Sequence, residues 1–85
     1  MARNPELEAL LQAQYDWEGA WPEEKVARQA VFQRLIKHYV RKYNATASAR
    51  GKPEMTEAEL REAIGPSYIE FKKARDREIA KRLTT

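Results

Sequence analysis

Arg34, Lys37 and Arg41 follow one another at intervals of three and four residues, with His38 and Lys42 beside them and Tyr39 and Tyr43 interleaved. On a helix that spacing lines the cations along one face, which is what contact with phosphate groups or an acidic protein surface requires. The three belong to a longer block, Lys25 to Lys52, that holds eight Lys/Arg and no acid, although the net charge of the 85-residue chain is only +3. The flanking blocks alternate in sign: residues 1–24 carry −5, residues 53–70 carry −4 and residues 71–85 carry +4. The sign pattern fits two arrangements. Either the cations face an external anion, or they pair with the acidic helices on either side, and internal pairing is the simpler expectation.

A second set of cations, Lys73, Arg77 and Lys81, recurs every four residues and makes another stripe. It lies on the segment after Gly65-Pro66, where two helices joined by a tight turn would have the outline of a helix-turn-helix over residues 56–83. An ordinary helical corner accounts for the same residues. Tyr15, Trp17 and Trp21 crowd around Gly19. Trp17 continues an apolar stripe and belongs to the core, whereas Trp21, just before Pro22, has no capping role and is the better candidate for a partner contact. The candidate partner-binding set is therefore Trp21, Arg34, Lys37, Arg41 and Lys42. The alternative nucleic-acid set adds Lys73, Arg77 and Lys81.

Catalytic, metal and cofactor chemistry find little support. The chain has no Cys and a single His, and His38 has no carboxylate at metal-ligand spacing, so it reads as a residue at the edge of the apolar face. There is no Gly-rich phosphate loop, and the acids Glu57, Glu59 and Glu62 are explained by helix capping and the helix dipole. No cofactor and no catalytic residue is assigned.

The elements that must carry these residues follow from caps and periodicity. Asn4-Pro5 is an N-cap followed by Pro at the first helical position, and Leu7, Leu10, Leu11, Gln14 and Trp17 share one face, predicting a helix over 5–17. Pro22 with Glu23 and Glu24 starts the next, whose arc of Val31, Phe32, Leu35, Ile36, Tyr39 and Tyr43 predicts a helix over 22–44, the longest in the chain. Residues 44–55 read as a mobile loop. Thr56-Glu57-Ala58-Glu59 is a capping box, with Met55 and Leu60 at the staple positions. It opens a helix over 56–64 that Gly65-Pro66 ends, and a fourth helix over 66–83 has Tyr68, Phe71, Arg75, Ile79 and Leu83 on its inner face.

These elements predict one all-α domain over residues 1–85, a compact three- or four-helix array around one long central helix. The thin core of so short a chain leaves room for a partner or a second copy to supply further burial. No apolar run is long enough for a membrane span or signal peptide, so the expected location is cytoplasmic. The expected function is that of a non-enzymatic adaptor or regulator acting by protein contact. A small nucleic-acid-binding protein and a structural subunit of a larger assembly are the alternatives.

Overall fold

Asn4 caps the first helix as its chemistry requires: its side-chain oxygen accepts a hydrogen bond from the Glu6 backbone N–H at 2.8 Å, and Pro5 fills the first helical position, where no donor is needed. The computed structural model describes residues 4–84. In it α1 spans Pro5–Glu18, α2 spans Pro22–Ala47 and α3 spans Glu57–Thr84. The described residues contain no strand. The short link through Gly19, Ala20 and Trp21 folds α2 back along α1, and these two helices share the most extensive contact. α3 packs more sparingly on both.

The expectation of an all-α array of three or four helices holds, with three helices among the described residues, but the longest element differs. The corner expected between Ile64 and Pro66 does not exist: α3 is one helix of 28 residues with Pro66 inside it, longer than the 26-residue α2. Two features make this tolerable. Pro66 and Glu62, whose carbonyl loses its i+4 donor, are both solvent-exposed, so water can take that donor's place. The residue before a proline is driven out of helical geometry by clashes of the proline ring with its backbone N–H and its Cβ, and here that residue is Gly65, which lacks the Cβ and so escapes that part of the clash. With no turn between two helices, residues 56–83 do not form a helix-turn-helix.

The loop predicted over residues 44–55 begins only after Ala47. α2 runs on to Ala47, which is fully buried, and the turn that follows closes as a Schellman motif. Gly51 N–H donates to Ser48 O at 3.0 Å, Lys52 N–H donates to Ala47 O at 2.9 Å, and Gly51 takes the left-handed φ of 70° that the motif requires. Asn44, read from sequence as a helix terminator, instead ties the connection down. Its Nδ2 donates to Met55 O at 2.9 Å and its Oδ1 accepts from Met55 N–H at 2.7 Å. Asn44→Ala removes both bonds at a half-buried site and strands the N–H and C=O of Met55. The expected cost is about 2 kcal/mol, read as a lower urea midpoint at unchanged m-value.

The capping box before α3 forms as predicted. Glu59 N–H donates to Thr56 Oγ1 at 3.1 Å, and Thr56 N–H donates to Glu59 Oε1 at 3.2 Å. Leu60 is buried and Met55 packs on the core, completing the staple.

The core joins Leu10, Leu11 and Ala13 of α1, Phe32 and Ile36 of α2, and Leu60, Ile64, Tyr68 and Phe71 of α3. It stops at Phe71, after which residues 72–83 are all exposed. Arg75 lies over the Phe71 ring at 5.0 Å, while Ile79 is 45% and Leu83 81% exposed. The molecule is accordingly flat and open rather than compact, 51 × 34 × 18 Å with a radius of gyration of 14.9 Å. A compact domain of this length has about 12 Å.

Candidate functional site

Trp21 sits at the N-cap position of α2 without making a capping bond, because its indole has nothing to offer an amide N–H. The ring is 72% exposed. Beside it, where α1 ends and α2 begins, a groove of about 320 Å³ is lined by Tyr15, Asp16, Gly19, Ala20, Trp21, Glu24 and Arg28. Trp17, four residues earlier, behaves as expected of a core residue and stacks on Phe32 with centroids 5.6 Å apart and planes at 22°. The different fates of the two tryptophans follow from helix phase. Trp17 continues the face of Leu10 and Leu11, whereas Trp21 lies beyond the helix end.

On the other side of the same corner, α3 passes the end of α1. Tyr15 Oη donates to Asp76 Oδ1 at 2.8 Å, and Asp76 is also paired with Lys72 at 3.3 Å. The bond from Tyr15 and then the Lys72 ammonium hold the exposed Asp76 carboxyl below its usual range, and the same bond raises the Tyr15 phenol. A groove of about 450 Å³ runs here between Glu18, Gly19 and Tyr15 of the first helix end and Tyr68, Lys72, Asp76 and Ile79 of α3. The Tyr68 hydroxyl is buried and has no acceptor in good hydrogen-bond geometry, although the Glu18 carboxylate lies near it. Burial first, and the Glu18 carboxylate second, push its phenol well above the ordinary tyrosine value.

Those shifts have a consequence at high pH. Both phenols are neutral in the folded chain and titrate later than in the unfolded chain. The stability they contribute is therefore complete below about pH 10 and is lost as pH rises through their folded values. Tyr68→Phe removes a buried hydroxyl that has no well-placed acceptor, so at pH 7 it should leave the unfolding free energy unchanged or raise it slightly. It should also flatten the alkaline loss of stability between about pH 10 and 12, measured by urea titration at several pH values. A destabilised variant at pH 7 would mean that the hydroxyl has a partner in solution.

Of the other sequence candidates, Arg34, Lys37 and Arg41 are all exposed on the outer side of α2, and His38 lies exposed among them rather than at the edge of the apolar face. The expected pairing of this stripe with the acidic helices does not occur: among the described residues none of the three makes an ion pair. Lys37 lines a groove with Glu57 and Arg61 without bonding to Glu57. Only Lys42 reaches across, to Glu6 at the start of α1. Lys73, Arg77 and Lys81 are exposed on the face of α3 opposite Tyr68 and Phe71. The residues brought together are thus Trp21, Tyr15 and the acids around them. The α2 stripe stands apart from that corner. Lys42 belongs to an interhelical pair.

No protein-family model, curated protein or solved structure matches this chain. Its surfaces must be read from their own chemistry. Among the described residues no helix is long and apolar enough to cross a membrane. Sequence reasoning missed Ile79 and Leu83 as surface residues, having assigned them to an inner face. No sequence signal marked them, because their spacing continues the apolar face of Tyr68 and Phe71 and only the structure ends the core at Phe71.

Proposed function

We propose that this chain is a cytoplasmic, non-enzymatic helical adaptor or regulator that works by protein contact at the corner around Trp21. One observation carries the reading. Large apolar side chains, Trp21, Ile79 and Leu83 among them, stand uncovered near or beyond the end of the core in a chain that has few such residues to spare. The grooves on both sides of the corner are shallow surface features flanked by charged side chains, which suits the rim of a protein contact better than a substrate pocket. The test is affinity capture from the source cell with and without nuclease, using the wild type and Trp21→Ala. Nuclease-resistant capture that Trp21→Ala abolishes supports the reading; capture that nuclease abolishes refutes it.

A second reading, nucleic-acid binding through Arg34, Lys37 and Arg41 with the Lys73–Arg77–Lys81 stripe, is favoured by the missing ion pairs on the α2 face. Because those cations make no pairs to lose, reversing Arg34, Lys37 and Arg41 to Glu should leave the denaturation midpoint unchanged within error. On the protein-contact reading, duplex binding near physiological salt is weaker than micromolar and there is little for the triple variant to lose. Tight duplex binding, with a log–log salt slope near −0.9 per phosphate contact and abolished in the stable triple variant, would make the second reading the better one.

A further inference from the structure

We infer that the occupant of the Trp21 corner is the α3 tail, residues 72–84, of a second copy of this chain, and that the exchange is reciprocal. The inference rests on the protein-contact reading and names its partner. Three observations lead to it.

The first is area. The chain exposes 6574 Å², whereas a compact monomer of 9.9 kDa exposes about 5,200 Å². The excess exceeds the roughly 800 Å² that each partner buries in a standard interface. The second is the apolar complement. The tail carries the partly covered Ile79 and the largely exposed Leu83 on the face that continues Tyr68 and Phe71, and the corner offers the exposed Trp21 ring beside a groove. The third is charge. Residues 71–85 carry +4, so two tails laid against one another would repel. Residues 16–24 carry four acids, Asp16, Glu18, Glu23 and Glu24, and no base. Asp16 and Glu24 line the groove beside Trp21, with Arg28 the one cation among its lining residues. A basic tail with an apolar seam matches an acidic corner with an exposed indole. α3 already leaves the core at its own corner, where Tyr15 holds Asp76, so a two-fold axis near that point lets each tail reach the other copy's groove.

The symmetry supplies a decisive test. One variant, Asp16→Lys/Glu24→Lys, turns the lining of the groove beside Trp21 from −1 to +3 while its tail stays basic. A second, Arg77→Glu/Lys81→Glu/Arg82→Glu, turns the tail from +4 to −2 while its corner stays acidic. Each alone sets like charges against each other in both contacts. Mixed, they restore both. By sedimentation equilibrium from about 5 to 500 µM, the wild type should move from 9.9 kDa toward twice that mass, less so at high salt. Each variant alone should associate at least about tenfold more weakly, with its helical circular dichroism intact, and the equimolar mixture should recover the wild-type mass. A wild type that stays monomeric throughout overturns the inference, as does a dimer that neither reversal weakens. Should a reversal cost helicity, Leu83→Asp on the exposed tail provides the same reading, with dimer loss expected and dimer retention refuting. A monomeric chain that still captures a partner through Trp21 sinks this inference alone; loss of that capture as well sinks the protein-contact reading with it.

Discussion

Phe32→Ala should bring the protein close to unfolding, at a cost of about 3–5 kcal/mol. A domain of this length has roughly 4–13 kcal/mol in all. Phe32 is 2% exposed and sits where the three helices meet. Trp17 of α1 stacks on its ring, and the Arg61 guanidinium of α3 lies over it at 5.6 Å. Removing the ring leaves a cavity that three helices would have to close together. The comparison that gives the result meaning is Leu35→Ala. Sequence periodicity puts Leu35 at the middle of the apolar arc, but in the fold Leu35 is half-buried, lining a surface groove with Ala9, Gln12 and Val31. Its truncation should cost about 1 kcal/mol. Urea midpoints should fall in the order Leu35→Ala, Phe32→Leu, Phe32→Ala, with the gentler leucine variant measurable even if the alanine variant does not fold. Equal effects at positions 32 and 35 would refute the phase of α2 described above.

Pro66→Ala should stabilise the protein by about 2 kcal/mol, the opposite of the usual result of mutation. The alanine restores the N–H that Glu62 O lacks and removes the ring that crowds that carbonyl. Gly65 makes the prediction sharper. A Cβ at Gly65 would meet nothing within 4 Å beyond its chain neighbours, so Gly65→Ala has room and should gain about 1 kcal/mol of helix propensity. In the wild type, however, that Cβ meets the Pro66 ring in helical geometry, and the gain should vanish or reverse. Thermal or urea unfolding of the two single variants and the double variant should therefore show a favourable coupling of about 1 kcal/mol or more. Additive effects would mean that α3 is broken at Gly65-Pro66 in solution and that the two-helix reading is right after all.

What the sequence by itself determined are the features that depend on neighbours a few residues apart. The Asn4-Pro5 start, Pro22 at the head of α2 and the Thr56–Glu59 box are each satisfied within one helical turn, so nothing distant could change them. The all-α class follows from the same local signals. Trp21 as an exposed residue was also legible, since it stands before a proline and off any apolar stripe. Gly51 could have been read as a Schellman residue, because a glycine shortly after the last apolar position of a helix is the usual sign.

The tertiary structure decided the rest, for reasons no local pattern contains. Whether Gly65-Pro66 ends a helix depends on whether continuing it lets Leu60 and Ile64 share one core with Tyr68 and Phe71; burying all four outweighs one lost hydrogen bond. Asn44 looks like a stop signal until Met55 is folded against it as a partner for both ends of its amide. Ile79 and Leu83 have the periodicity of buried residues, yet periodicity records only that a face is apolar, not that anything lies opposite to cover it. The charge blocks alternate in sign along the chain, but ion pairing needs contact within about 4 Å, and helix packing leaves Arg34, Lys37 and Arg41 exposed without such a contact, even where Lys37 shares a groove with Glu57.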